Sequence, residues 1–162
     1  MLDAHEYYGG SLADAEASTF VIPRTKYEAP FLVGNFENER RAVFLSGEHI
    51  YHSMPCEGTV NWQGVLIPKV QIVVDQQSLI DPAQVSAPLG AIIRMADKLF
   101  VLARVEARGM FTSVSPIEIE SGLPACTNEQ RAGFLRWQIV LGRRDDRRIL
   151  YEVDVAEKLA KG

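Results

Sequence analysis

Several features that would point directly to a function are scarce in this chain. Its 162 residues include two cysteines, Cys56 and Cys126. Two are too few for a disulfide framework, so we expect free thiols in a reducing cytoplasm, although one bridge between them stays open. The longest uninterrupted apolar stretch, Leu99–Ala103, is far shorter than the ~20 residues of a membrane helix, and it predicts no membrane partner. The formal net charge of −4 argues against a dedicated nucleic-acid binder, which needs a basic face.

Signatures of catalysis and cofactor binding are also missing from the sequence. There is no glycine-rich phosphate loop, no GxSxG and no HExxH. The first residues carry Asp3 and Glu6 in place of the basic and apolar regions of a secretory signal, which again predicts a cytoplasmic protein. We therefore expect no cofactor, and the sequence names no reaction.

The composition is that of an ordinary folded domain, with 47% apolar and 23% charged residues. We divide the chain into a peripheral N-terminal segment, 1–22, and a single β-rich domain, 23–162. Ser11 and Asp14 resemble a capping box, which predicts a short helix over 12–18, and a second short helix is expected over 156–161. Between them, short alternating segments bounded by Pro and Gly predict a mainly β fold: a single-domain antiparallel sandwich or partly closed barrel of about 8–10 short strands.

The stretch from Pro88 to Glu120 admits two interpretations. Residues 89–108 are rich in helix formers and end at Gly109, so one long helix in an α+β fold is the alternative. We favour three antiparallel strands with three-residue loops at 96–98 and 107–109. This register pairs Ile93 with Val101, and it gives the sheet one apolar face and a second face that still carries four large apolar side chains. These are Ile92, Phe100, Leu102 and Val114, which need a covering sheet, ligand or subunit.

The C-terminal segments predict a hairpin that supports the β fold independently. Two apolar sets recur at every second position, and most of the residues between their members are polar. The sets are Leu135, Trp137, Ile139 and Leu141, which alternate with Arg136, Gln138 and Val140, and Ile149, Tyr151, Val153 and Val155, which alternate with Leu150, Glu152 and Asp154. A loop at 144–146 places Trp137 opposite Val153, and Asp146 is expected to adopt the left-handed conformation.

One polar cluster, from Glu48 to Glu57, is a candidate site. His49, His52 and Cys56 are residue types that bind zinc, but His49 and His52 would point to opposite faces of a strand, so we predict no metal site. Cys56 and Cys126 are also candidate nucleophiles, if a base lies nearby. With aromatic side chains, the two histidines form a candidate ligand-binding set: His49, His52, Trp62, Phe100 and Trp137.

Charge is distributed unevenly along the chain. Residues 1–20 carry four acidic and no basic side chains, whereas 131–148 carry six arginines and two aspartates. These oppositely charged segments are expected to attract each other, within one molecule or between subunits. The basic tip of the C-terminal hairpin is a candidate site for an anion or an acidic partner, formed by Arg143, Arg144, Arg147 and Arg148.

Together these patterns favour a non-catalytic β-rich module that binds a small ligand or assembles, most simply as a homodimer, because symmetric dimers are the commonest oligomers. The alternative is a small enzyme, metal-dependent or not, with a His/Cys/Glu site around residues 48–57.

Overall fold

The computed structural model describes residues 5–24, 29–59, 61–81, 86–106, 112–121, 131–142 and 144–157. These ranges contain fourteen strands, more than expected because turns and bulges divide the sheet finely. The strands are β1 Tyr8–Ser11, β2 Thr19–Pro23, β3 Phe31–Phe36, β4 Glu39–Phe44, β5 Ser53–Pro55, β6 Gln63–Ile67, β7 Gln71–Val74, β8 Leu79–Ile80, β9 Ile92–Met95, β10 Lys98–Glu106, β11 Thr112–Ser121, β12 Ala132–Phe134, β13 Arg136–Leu141 and β14 Arg148–Asp154.

Eleven strands form one antiparallel sheet and three form a second. The main sheet runs β1-β6-β2-β3-β11-β10-β9-β12-β8, with β4 paired to β3 and β5 paired to β4. A bridge between His52 and Arg104 joins the chain just before β5 to β10. The small sheet has the order β14-β13-β7. The predicted mainly β antiparallel fold is confirmed, in its sandwich-like form and not as a closed barrel.

Two apolar clusters hold these layers together. The larger lies between the sheets and combines Leu32 and Val101 of the main sheet with Ile72, Trp137 and Val153 of the small one. Burying side chains of this size stabilises by roughly 1.5–3 kcal/mol each. The second cluster lies on the opposite face of the main sheet and consists of Leu12, Ala15, Val21, Phe31, Val33, Ala42, Cys56 and Leu66.

Residues 92–95 and 98–106 are strands, preceded by a turn at 89–90, and the alternative of a helix over 89–108 is wrong. The turn between β9 and β10 is one residue shorter than predicted, with Ala96 at φ 52°, so Ile92 and not Ile93 lies opposite Val101. Ile92 therefore belongs to the core face and is fully buried. Between β10 and β11 the predicted register is wrong by two residues, since Val105 lies opposite Ser113; the proposed loop at 107–109 falls outside the described residues. A shift of two keeps the faces, so Ile117 lies beside Val101.

The C-terminal hairpin has the predicted register over most of its length. Trp137 lies opposite Val153 and Ile139 opposite Tyr151, after which a bulge shifts the pairing so that Val140 faces Ile149. The tip is a 3-10 turn over Arg144–Asp146. Positive φ occurs at Gly142 (96°) and not at Asp146, because glycine adopts this conformation without strain.

The N-terminal residues are integrated into the main sheet. The segment 1–22, expected to be peripheral, supplies β1 and most of β2, and Leu12 and Phe20 are buried. The helix expected over 12–18 is only a 3-10 turn, Leu12–Asp14, whose N-cap Ser11 accepts a hydrogen bond from the Ala13 amide (3.2 Å). At the other end, residues 155–157 begin a helical turn, and the rest of the helix expected at 156–161 lies outside the described residues.

Candidate functional site

The two histidines of the polar cluster lie close together because their segment is a turn. The sequence predicted a strand over 49–53, with the two rings on opposite faces. Instead the His52 amide donates to the His49 carbonyl (2.9 Å), and Tyr51 between them has φ 60°. The imidazole rings consequently stand 5.7 Å apart, centre to centre. His49 is exposed and His52 half-buried, so both can reach a ligand.

Neighbouring strands extend this pair into a continuous series of rings. Phe44, at the end of β4, contacts His49 (6.2 Å) and Trp62 (6.4 Å) edge to face. Phe31 of β3 packs against both Phe44 (4.8 Å) and Trp62 (5.5 Å). These separations lie in the favourable range for aromatic pairs. We call the five side chains Trp62, Phe31, Phe44, His49 and His52 the aromatic–histidine row.

The row has a rigid base and a more accessible rim. Phe31 is buried in the second apolar cluster, and Phe44 and Trp62 pack against that cluster while half-buried. The backbone around Trp62 is fixed, because its carbonyl accepts from the Leu12 amide (2.8 Å) and its amide donates to Thr59 (3.0 Å). A ligand at this surface would meet ring edges and imidazole nitrogens held in place by the sheet.

The other two members of the predicted ligand-binding set are elsewhere. Trp137 is buried between the sheets, where its Nε1 donates to the Gly90 carbonyl (2.9 Å). Phe100 is half-buried on β10, and among the described residues its ring does not contact the row. The structure thus brings together His49, His52 and Trp62, and it adds Phe31 and Phe44. Sequence reasoning missed these two because each looks like an ordinary apolar strand residue.

Cys56, a candidate nucleophile and metal ligand, is not accessible for either role. Its side chain is fully buried in the second apolar cluster, and burial raises the pKa of the thiol to about 11, against a smaller lowering by Arg40 and Arg41. A buried protonated thiol is a poor nucleophile. Within the described ranges, no three His, Cys, Asp or Glu side chains are placed to hold a metal ion. Cys126 lies outside the described residues.

One arginine of the basic hairpin tip already forms an ion pair within the same chain. Arg148 forms an ion pair with Glu6, which is one intramolecular form of the expected attraction between the oppositely charged segments. Arg147 is exposed. Arg143 lies outside the described residues, and the side chain of Arg144 is likewise not described.

A groove of about 580 Å³ is lined by residues of all three strands of the small sheet. Its polar side chains are four carboxylates, one guanidinium and the amide of Gln138. The guanidinium, that of Arg136, forms an ion pair with Asp75 (2.9 Å). Gln138 donates to Glu152 (2.8 Å). We call this feature the small-sheet groove; its charged residues are Asp75, Arg136, Glu152, Asp154 and Glu157.

Comparison with known proteins identifies a family. Residues 9–161 match the family model described as "Uncharacterised protein y4lG". The chain belongs to this y4lG family. It is 38% identical over 161 residues to a protein of Sinorhizobium fredii (strain NBRC 101917 / NGR234) that bears the same description, covering 99% of this chain and 98% of that protein. No solved structure matches. No helix in the described part of this family member has the length and apolarity needed to cross a bilayer.

Proposed function

We propose that the protein is a non-catalytic binding module whose aromatic–histidine row receives a small, uncharged, ring-containing ligand. The observation that carries the proposal is the unbroken contact of Trp62, Phe44, His49 and His52 at a partly exposed surface. Ligand sites in proteins are typically lined by aromatic side chains and a few well-placed polar groups, which is the chemistry of this row.

The arrangement suits binding better than it suits reaction. Ring edges and faces attract flat or ring-shaped molecules, and imidazole nitrogens supply a hydrogen-bond donor and an acceptor. Thiol chemistry, the strongest form of the enzyme alternative at residues 48–57, is disfavoured because the Cys56 thiol is buried and its pKa is raised. The ligand we expect is therefore held and released unchanged.

A thermal-shift screen with sugars, nucleosides and simple aromatic compounds tests this proposal. A ligand present at one hundred times its Kd stabilises by about 2.7 kcal/mol. For a domain of this size, this corresponds to a midpoint shift of roughly 5–11 °C. The ligand should also change the fluorescence of the half-buried Trp62.

The matched variants use all three histidines of the chain. His49→Ala/His52→Ala should weaken binding of any hit at least about tenfold, whereas His5→Ala, an exposed histidine outside the row, should leave it unchanged. If no uncharged ring compound binds, or if the double variant binds as tightly as the parent, the row is not the site.

We further propose that the protein works in a reducing compartment such as the cytoplasm. The support is that Cys56 is a free thiol inside an apolar cluster, where it needs no bridge. A disulfide between Cys56 and Cys126 in protein isolated with thiols alkylated would contradict this.

A further inference from the structure

We propose that Arg104, together with His49 and His52, binds a phosphate group, either free or as part of a larger ligand. The site lies at the histidine end of the aromatic–histidine row, where the turn that carries the two imidazoles is bridged to β10. It goes beyond the binding of an uncharged ring and does not depend on it, because the rings of Trp62 and Phe44 take no part in holding the anion.

The backbone places the side chains of His52 and Arg104 on the same face. The two residues pair in a parallel β-bridge, in which the Arg104 amide donates to the Tyr51 carbonyl (2.8 Å). Neighbouring strands lie about 4.8 Å apart, and paired residues point their side chains to the same side. Tyr51, like Ala103 and Val105 on either side of Arg104, belongs to the larger apolar cluster. Because side chains alternate along a strand, His52 and Arg104 both point away from that cluster.

His49 supplies the third polar group. Its ring stands 5.7 Å from the ring of His52, centre to centre. His49 and Arg104 are exposed, and His52 is half-buried. The half-buried His52 is thus the common neighbour of an exposed imidazole and an exposed guanidinium.

These three groups are not used within the part of the chain that the structure describes. The side chains of Arg104, His49 and His52 form no hydrogen bond or ion pair with any described residue. Glu48 and Glu106, the carboxylates nearest to them along the chain, are exposed and pair with none of the three. The donors of the cluster are therefore available to a ligand.

The backbone of Arg104 is held in place and its neighbours on the sheet are apolar. Its carbonyl accepts from Oγ of Ser53 (2.8 Å), and Nε of the buried Arg41 donates to the same hydroxyl (2.9 Å). Val114 lies directly opposite Arg104 on β11, and Leu102 precedes it on the same face. These apolar neighbours offer no acceptor that would compete for the guanidinium, and a fixed backbone reduces the entropy that binding costs.

A phosphate matches this set of donors better than a carboxylate does. A planar guanidinium binds two phosphate oxygens through parallel hydrogen bonds. The other oxygens of the tetrahedral group point elsewhere, and each neutral imidazole has one N–H to donate to them. A carboxylate has only two oxygens, which the guanidinium alone would occupy. A phosphate monoester keeps three terminal oxygens, so free phosphate and a phosphorylated ring compound share this chemistry.

Titration calorimetry at low ionic strength with inorganic phosphate, phenyl phosphate and phenol tests the inference. Both phosphates should bind, with a Kd that rises with salt. Similar affinities for the two would identify the free anion as the ligand. Tighter binding of phenyl phosphate than of inorganic phosphate or phenol would identify a phosphorylated ring that also contacts the row. If neither phosphate binds at millimolar concentrations, the inference is overturned.

Arginine variants locate the site. Arg104→Gln should weaken phosphate binding at least about tenfold, because it removes charged hydrogen bonds. Arg104→Lys keeps the charge but loses the planar fork, so it should retain only part of the affinity. Arg147→Gln removes an exposed arginine of the hairpin tip and is the matched control, which should bind phosphate like the wild type. Equal losses in Arg104→Gln and Arg147→Gln would show an effect of net charge alone and would contradict the inference.

The phosphate site and the ring-binding function can fail separately. Arg104→Gln should leave the binding of uncharged ring compounds and the urea midpoint of unfolding unchanged, whereas His49→Ala/His52→Ala should weaken phosphate binding about threefold or more. If no uncharged ring binds and Arg104→Gln still loses phosphate, only the ring-binding function is wrong. If Arg104→Gln binds both phosphates as tightly as the wild type, the phosphate site is wrong.

Discussion

Gly90 is hydrogen-bonded to a residue of each sheet, and its replacement by alanine should be strongly destabilising. The residue has φ 85°, and an added Cβ would stand 2.5 Å from Cε2 of the buried Tyr51 ring. Its carbonyl accepts from Nε1 of Trp137 (2.9 Å), and its amide donates to Leu102 (2.8 Å). The ring cannot be avoided without disturbing at least one of these hydrogen bonds.

The expected loss of stability has three parts. A non-glycine residue in the left-handed conformation costs about 1–2 kcal/mol, of which ~0.4–1 is recovered because alanine restricts the unfolded chain. Overpacking against Tyr51 adds roughly 1–3 kcal/mol. Disturbing the Trp137 hydrogen bond adds about 1 kcal/mol. We therefore expect Gly90→Ala to lower the free energy of unfolding by about 3–5 kcal/mol.

Gly58 provides a control with the same φ and no neighbour close to an added Cβ. It also has φ 85°, but nothing lies within 4 Å of an added Cβ. Gly58→Ala should cost only about 1 kcal/mol, from backbone strain alone. Urea unfolding followed by tryptophan fluorescence measures both variants, and comparable slopes would confirm that the unfolded states are alike.

Equal losses in the two glycine variants would refute the reasoning, because they would show that the Tyr51 ring contributes nothing. A further comparison isolates the ring itself. In a Tyr51→Ala background the overlap is removed, so Gly90→Ala should then cost about as much as Gly58→Ala.

Three further predictions follow from buried polar groups. Arg41 is almost fully buried and donates to Oγ and to the carbonyl of Ser53 (2.9 and 3.0 Å). Arg41→Met should therefore lower the free energy of unfolding by about 2–4 kcal/mol in urea. Lys98→Met, which removes an exposed ion pair, is the control and should cost ~0–1 kcal/mol. Trp137→Phe loses the indole donor and leaves a small cavity at a buried site, which together should cost at least about 1–3 kcal/mol by the same measurement. In a Cys126→Ser background, the Cys56 thiol should react with Ellman's reagent only on unfolding. The pKa of this thiol is raised to about 11 in the folded protein, so the protonated thiol contributes fully to the free energy of unfolding below the pKa of the unfolded chain. That contribution, roughly 3 kcal/mol, is lost as pH rises through about 11. The Cys56→Ala variant should lack this part of the pH dependence.

Strand positions could be predicted from this sequence, but turn lengths could not. Burial of one face requires side chains to alternate, and this fixes whether a residue points in or out. The alternation gave the correct pairing of Trp137 with Val153. Turn geometry depends on local backbone energies of about 1 kcal/mol, which a residue type alone does not determine. Ala96 is an example, because it adopts a positive φ although alanine does not favour that conformation. A turn one residue shorter than expected moved Ile92 from the second face to the core.

The candidate site was harder to predict than the fold, because its parts come from separate segments. His49 and His52 become neighbours only because a turn replaces the expected strand, and Trp62 joins them only through Phe44. No spacing within one segment encodes such contacts. The second face of β10 shows the reverse: Phe100 and Leu102 remain half-buried and Val114 is exposed, as the alternation predicts. These apolar side chains lie among the exposed Lys98, Arg104 and Glu106, whose mixed charges indicate no particular occupant for the apolar surface. Apolarity alone therefore marks a surface without identifying what covers it.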